Sequence, residues 1–313
     1  MPRASIIIPT FNRPHLLPRA VESAQAAGND VEIIVVDDAS VDETAAVCAS
    51  LTGIKYIRLD RNQRVAGARN AGLLASSGEY VTFLDDDDLR LADTLDEQVE
   101  LLRSNPDAAL VYGQAIIRDK STEQVYPLDC PKGDVFWQLL TQNFIPCGSA
   151  VFRRSFVDQI GLLDSDLPGI DDWDLWIRIA ELHLIIALAK PVMIWRRSNP
   201  VSAQGTSRGA EIVSRAVQQF KSSWIKLPRA VAAPREQKQL AWSRFADNMA
   251  SHLVWETMRS LSYSNVGQAT RNIFGLAQVG PLPVLRLAQK TGRFLMHRTR
   301  RRQSNDLNSG RSV

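Results

Sequence analysis

The chain of 313 residues is 45% hydrophobic and 23% charged, which excludes wholesale disorder, collagen-like repeats and a disulfide scaffold and suits one large domain with an extension. It holds no apolar run of about 18 residues, its N-terminus has too short an apolar run for a signal peptide, and its three scattered cysteines, Cys48, Cys130 and Cys147, fit a reduced cytoplasmic compartment. The net charge of +3 is uneven: residues 1–200 carry 19 Lys and Arg against 29 Asp and Glu, whereas residues 201–313 carry 18 against 5, so the rear suits an anionic surface such as lipid headgroups.

Ile6-Ile7-Ile8 predicts a buried strand that stops at Pro9. A helix starts between Pro14 and Pro18, with Leu17, Ala20, Val21 and Ala24 on one face. Ile33 to Val36 predicts the next strand, ended by Asp37-Asp38. Ser40 with Glu43 three residues on reads as a capping box for a helix through Ala49. Ile54 to Leu59 predicts a third strand and Ala66 to Ala75 a helix of small residues. Tyr80 to Leu84 predicts a fourth strand running into Asp85-Asp86-Asp87-Asp88. Repeated β-α-β with continuous apolar strands predicts a parallel sheet covered by helices on both faces. In the middle, Leu110 to Ile117 and Ser149 to Phe152 predict strands, and Ile170 to Ala180 an amphipathic helix with an acidic start. Ile185 to Leu188 and Val192 to Trp195 predict two more strands. Residues 210–298 predict three or four helices, broken at Leu227-Pro228, Ala233-Pro234 and Gly280-Pro281-Leu282-Pro283.

In such sheets ligands collect beyond the carboxyl ends of the strands. Three segments fall there: Pro9-Thr10-Phe11-Asn12-Arg13, Asp37-Asp38-Ala39-Ser40, and Asp85 to Asp88. Four consecutive aspartates repel one another, and a hard divalent cation such as Mg²⁺ or Mn²⁺ would relieve that repulsion. A helix cap at Asp88 would need one Asp and not four. At Asp37-Asp38 one carboxylate can bond a base or a ribose, or both can simply end a strand. Asp171-Asp172-Trp173-Asp174 either stabilises a helix N-terminus through its dipole or supplies a rigidly held general base. His15, His183, His252 and His297 form no close group, and no Gly-Lys-Ser/Thr loop occurs. Trp173, Trp176 and Trp195 read as core residues rather than a sugar platform.

The order Ser5-Ile6-Ile7-Ile8-Pro9-Thr10-Phe11-Asn12-Arg13, Val35-Val36-Asp37-Asp38-Ala39-Ser40, Ala68-Arg69-Asn70-Ala71-Gly72 and Gly78 to Asp88 resembles the family 2 glycosyltransferases of the GT-A fold. Gly148 to Arg154, Gly161 to Asp164 and Asp171 to Trp176 continue the likeness, which covers about residues 3–200. The resemblance implies an α/β fold with a mixed sheet flanked by helices, and transfer of a sugar from a nucleotide-activated donor with inversion at the anomeric carbon. Pro9, Thr10 and Asp38 would hold the nucleoside, with Phe11 and Arg13 in the same segment. Arg69 would lie near the nucleoside or the diphosphate. Asp85-Asp86-Asp87 matches the Asp-x-Asp motif: Asp85 and Asp87 would ligate Mn²⁺ or Mg²⁺, and Asp85 and Asp86 would line the donor. Asp172 matches the general base.

Two features depart from the family pattern. Ser198 stands where many relatives carry a His that approaches the metal. No Gln-x-x-Arg-Trp segment and no transmembrane helix is found, which argues against a processive polysaccharide synthase. The expected organisation is a catalytic domain at 1–200, with a nucleotide-binding part at 1–108 and an acceptor-binding part at 109–200. A basic helical extension follows at 201–313, with a disordered tail at 299–313. Expected partners are a UDP- or GDP-sugar, a saccharide or glycolipid acceptor and an anionic membrane at the inner face of the cell membrane; no nucleic acid is expected. The alternatives are a non-catalytic sugar- or membrane-binding relative, and a sugar-1-phosphate nucleotidyltransferase, whose Gly-rich N-terminal loop is absent.

Overall fold

The computed structural model describes residues 2–118, 122–196, 209–262 and 264–286. Ser198 and the tail at 299–313 lie outside these residues. The chain divides into two compact units, Met1–Gly205 with Leu227–Arg229, and Thr206–Lys226 with Ala230–Val313.

The first unit opens with β1 (Ala4–Thr10), α1 (Leu17–Gln25), β2 (Val31–Asp37), α2 (Thr44–Ser50), β3 (Ile54–Arg58), α3 (Arg64–Ala75) and β4 (Tyr80–Phe83). A two-residue strand β5 (Leu89–Arg90) precedes α4 (Thr94–Arg103), β6 (Ala108–Arg118) and β7 (Glu123–Tyr126). Then come α5 (Phe136–Leu139), β8 (Ala150–Arg153), α6 (Val157–Ile160), α7 (Asp171–Leu182) and β9 (Leu184–Arg196). The strands form one sheet in the order β3-β2-β1-β4-β8-β6-β9-β5, with β7 paired to β6.

β1 pairs in parallel with β2 and β4, and β2 with β3. β8 then runs antiparallel to both β4 and β6, so the sheet is mixed rather than parallel throughout. Two reversals restore the direction, and β6 and β9 run parallel to each other. The carboxyl ends of β1, β2, β4 and β9 therefore reach one edge.

Alternation along β1 covers both faces. Ile6 and Ile8 pack in one core cluster with Leu17, Ala20 and Val21 of α1. Ile7 points the other way, toward α3, where Gly72 permits close approach. A Cβ on Gly72 would lie 2.3 Å from Ile7 Cγ2 and 3.2 Å from Val36 Cγ2. Gly72→Ala is expected to cost about 1–3 kcal/mol by overpacking, read as a lowered thermal midpoint.

Two expected elements take a different form. The capping box at Ser40 and Glu43 does not form: helix α2 starts at Thr44, and the Ser40 hydroxyl accepts the Asn12 N–H at 2.9 Å instead. Asp42 Oδ1 accepts the Thr44 N–H at 3.0 Å, so the neighbouring acid serves that helix end. The strands expected at 185–188 and 192–195 are one strand, β9, whose register against β6 jumps from Gly113↔Leu188 to Gln114↔Pro191. Pro191 has no N–H to give the ladder, so the irregularity falls there and the strand continues past it.

The second unit contains α8 (Gly209–Ser222), α10 (Arg235–Ser262) and α11 (Val266–Val279), and the short α9 (Pro228–Ala232) spans the unit boundary. Pro228 opens α9, and Pro234 immediately precedes α10, as the breaks in the sequence imply. Gly280, at φ +88°, ends α11. Phe220, Trp242 and Phe245 pack their rings together inside this unit. Among the described residues no helix is long and apolar enough to cross a membrane.

Candidate active site

Loops 10–13 and 38–41 are stitched together where β1 and β2 end. Asp38 N–H donates to the Thr10 carbonyl at 2.9 Å, and Val41 N–H donates to Asn12 Oδ1 at 2.9 Å. Asn12 and Ala39 both hold positive φ, at 53° and 64°. Such backbone is unusual for Ala, and the surrounding bonds hold it in place. Pro9 is buried as the penultimate residue of β1, and Phe11 is exposed at the loop tip.

The two acids of this edge have different partners. Asp37 accepts the Ser40 N–H and the Tyr56 hydroxyl, at 2.8 and 2.7 Å, and so builds the turn. Asp38 Oδ1 accepts the Gln63 N–H at 2.6 Å, and burial raises its carboxyl pKa.

The four aspartates after β4 form a turn, closed by Asp88 N–H donating to the Asp85 carbonyl at 3.0 Å. Their side chains diverge. Asp86 turns toward β1, accepting the Thr10 hydroxyl at 2.7 Å and Arg13 at 2.8 Å. Burial pushes Asp86 up to about 6 despite Arg13. Asp85, Asp87 and Asp88 converge, with one oxygen of each within 4.8 Å of the others. Burial, followed by the charges of Asp85 and Asp87, raises Asp88 well above the carboxylate range. Asp88 caps no helix, since α4 begins at Thr94. It accepts the backbone N–H of Arg196 at 2.9 Å, and the Arg196 guanidinium donates to the Asp87 carbonyl.

Arg69 ties this turn to the acidic start of α7. Its guanidinium bonds Asp85 at 2.7 Å and Asp171 at 2.8 Å, and its side chain is only 5% exposed. Asp171 also accepts the Gly169 N–H at 3.2 Å, and Asp174 pairs with Arg178 at 2.8 Å. Asp172 has no ion pair among the described residues; its Oδ1 accepts the Trp173 N–H at 2.7 Å. Burial, then the neighbouring Asp171 charge, pushes Asp172 up to about 7, against the pull of Arg69. The residue is half-buried, so a proton can still reach it from outside.

The fold thus brings Pro9, Thr10, Phe11, Arg13, Asp38, Arg69, Asp85, Asp86, Asp87 and Asp172 to one side of the sheet. Asp88, expected in the acidic cluster but not among the metal ligands, joins them as a third converging carboxylate, and two residues to which sequence reasoning gave no role also lie here: Arg196 at the end of β9, and Cys147. The Cys147 thiol sits in the field of Arg69, Asp172, Asp85 and Asp171, and burial pushes its pKa up. Only Asp88 had a readable signal, its place in the aspartate run. Trp173 and Trp176 are core residues, as expected, and Trp195 is half-buried.

An all-oxygen set of three carboxylates suits a hard divalent cation. Arg13 lies 2.8 Å from Asp86 and 3.5 Å from Asp87, so it and Arg69 offset part of the negative charge. The residues present fit such an ion.

The model of glycosyl transferase family 2 matches residues 5–161, half of the chain. A β-1,3-glucosyltransferase of Campylobacter jejuni, named for GalNAc(5)-diNAcBac-PP-undecaprenol, is 43% identical over an alignment of 124 residues that covers 37% of this chain and 39% of that protein. The chain spans less than two thirds of the length of the curated relatives it matches first. Among solved structures, S. aureus TarS 1-349 in complex with UDP-GlcNAc superposes with a TM-score of 0.63 at 15% identity, over 89% of this chain and 82% of that one. The mannosyltransferase PcManGT of Pyrobaculum calidifontis, in complex with GDP-Man and Mn²⁺, gives 0.55 at 19% identity, over 88% and 86%. The mixed sheet flanked by helices is the GT-A fold that these glycosyltransferases share.

Proposed function

The chain belongs to glycosyl transferase family 2, and from that membership we propose that it transfers a sugar from a nucleoside-diphosphate donor to a hydroxyl acceptor with inversion. The observation that carries this reading is the convergence of three elements at one sheet edge: the loop at Asp38, the Asp85–Asp88 turn, and Asp172 at the start of α7.

Asp38, with Pro9 and Thr10, holds the nucleoside. Asp85 and Asp87, with Asp88 beside them, hold Mn²⁺ or Mg²⁺. When bound, that cation neutralises charge developing on the departing nucleoside diphosphate. Asp172 removes the acceptor hydroxyl proton: Oδ1 is engaged by the Trp173 N–H, so Oδ2 takes it. The acceptor oxygen forms its bond to the anomeric carbon as the bond to the phosphate oxygen breaks on the opposite face. One carboxylate suffices, because no glycosyl-enzyme forms. Arg69 fixes the distance between the two acidic elements by bonding both.

The donor is a UDP- or GDP-sugar, in keeping with the ligands of the two structural neighbours. The acceptor is a saccharide or glycolipid of the cell envelope, in keeping with the lipid-linked glycan named for the Campylobacter relative. The basic charge of residues 201–313 supports a peripheral position at the inner face of the cell membrane.

Incubation with a panel of nucleotide sugars and Mn²⁺ tests the reading. Release of nucleoside diphosphate from one of them, with a product of inverted anomeric configuration by NMR, is the expected result. Absence of turnover across the panel, with acceptor extracts included, overturns it. A base must be ionised to accept a proton, so a raised Asp172 pKa means that activity falls as pH drops through about 7. The acid limb of kcat should therefore lie well above the ordinary aspartate value of about 4. A limb at that ordinary value counts against Asp172.

A further inference from the structure

Helix α11 buries two polar side chains beside Ala269, Gly275 and Val279, and leaves its largest apolar side chains outside. Its inward face holds Gln268 and Asn272, both buried and hydrogen-bonded to each other at 2.9 Å. Its outward face holds Val266, Ile273 and Phe274, at 64%, 55% and 74% exposure. Leu282 and Leu285 follow, also more than half exposed. A helix facing water does the opposite, burying its apolar stripe. Single exposed apolar residues are ordinary, but five within twenty residues form a patch. From Val266 to Leu285 the only charged residue is Arg271, whose Nε donates to Gln268.

The chain that follows has the opposite character. From Arg286 to Val313 it carries eight Lys and Arg against one Asp. Large exposed apolar side chains with a single cation, Arg271, among them, continued by a cationic segment, are the pattern of a helix lying in a membrane interface. Charge selects the occupant. A second copy of this chain would bring two cationic segments together, whereas an anionic leaflet neutralises one.

We propose that the outer face of α11, through Val266, Ile273 and Phe274 with Leu282 and Leu285, inserts into the headgroup–acyl boundary of an anionic bilayer. This rests on the reading that the enzyme works at a membrane surface, and it adds that contact is made by apolar insertion as well as by charge. Insertion would hold the enzyme at the surface where a lipid-linked acceptor is found.

Co-sedimentation of the full chain with vesicles tests it, using phosphatidylcholine alone and phosphatidylcholine mixed with phosphatidylglycerol. The wild type should bind the mixed vesicles. The double variant Ile273→Gln, Phe274→Gln should bind them at least about tenfold less tightly at equal salt, since two apolar side chains are lost from the interface with no change of charge. Its helical content, thermal midpoint and nucleotide-sugar hydrolysis should match the wild type. The conservative pair Ile273→Leu, Phe274→Leu should keep binding. Unchanged binding by the glutamine variant would leave a purely electrostatic contact and overturn the inserted face alone. Failure of the wild type to bind mixed vesicles at low salt would overturn the membrane reading with it. A wild-type dimer that the glutamine pair dissociates would make this face a subunit contact and also overturn the proposal.

Discussion

Asp172→Asn should lower turnover by about 10²–10⁴-fold, the usual contribution of a general base. The substitution keeps the side chain's shape and its bond to the Trp173 N–H, so structure is conserved while proton acceptance is lost. Donor affinity should barely change, because Asp172 addresses the acceptor. Asp171→Asn should show a different pattern. Asp171 is one of two carboxylate partners of the buried Arg69, so its neutralisation weakens a buried ion-pair network and lowers stability, while Asp85 keeps Arg69 paired. Its effect should therefore appear in thermal unfolding, with a smaller loss of turnover. Steady-state kinetics, donor titration and a melting curve on both variants separate the roles. Near wild-type turnover in Asp172→Asn would move the base to Asp174 or Asp171.

Asp87→Ala should impair donor binding and turnover together, by about 10²-fold or more, because the metal's stabilisation of the leaving group is worth several kcal/mol. EDTA should reproduce that loss in the wild type, and added Mn²⁺ should reverse it. Titration of UDP- and GDP-sugars by calorimetry reads both. Equal donor affinity with Mn²⁺ and with EDTA would overturn the metal assignment. The contrast between the two sites is the sharper test: donor binding should be retained in Asp172→Asn and lost in Asp87→Ala.

How far the sequence could be read depended on the range of each interaction. The strands β1, β2 and β4 were legible because a buried strand needs a continuous apolar run, and Ile6-Ile7-Ile8 and Ile33 to Val36 can serve little else. The helix face Leu17, Ala20, Val21 and Ala24 was legible from its 3.6-residue spacing. The Ser40 cap was misread because the hydroxyl had a second suitor. Asn12 lies 28 residues away in sequence, and only the parallel pairing of β1 with β2 brings its N–H to Ser40. The break at Pro191 was misread for a similar reason, since the β6 ladder carries β9 past a residue that cannot donate.

Sequence by itself determined the family, the fold class and the residue types that meet at the edge, because runs of aspartate after buried strands are costly unless used. Tertiary structure alone decided how those carboxylates divide their work. Asp86 is taken by Thr10 and Arg13, Asp171 by Arg69, and Asp174 by Arg178, while Asp85, Asp87 and Asp88 converge. Those assignments join residues up to 102 positions apart, as at Arg69 and Asp171. The outward placement of Ile273 and Phe274 on α11 belongs with them: apolar residues on a helix can be read from sequence, but whether they turn inward or outward depends on which neighbours claim the other side.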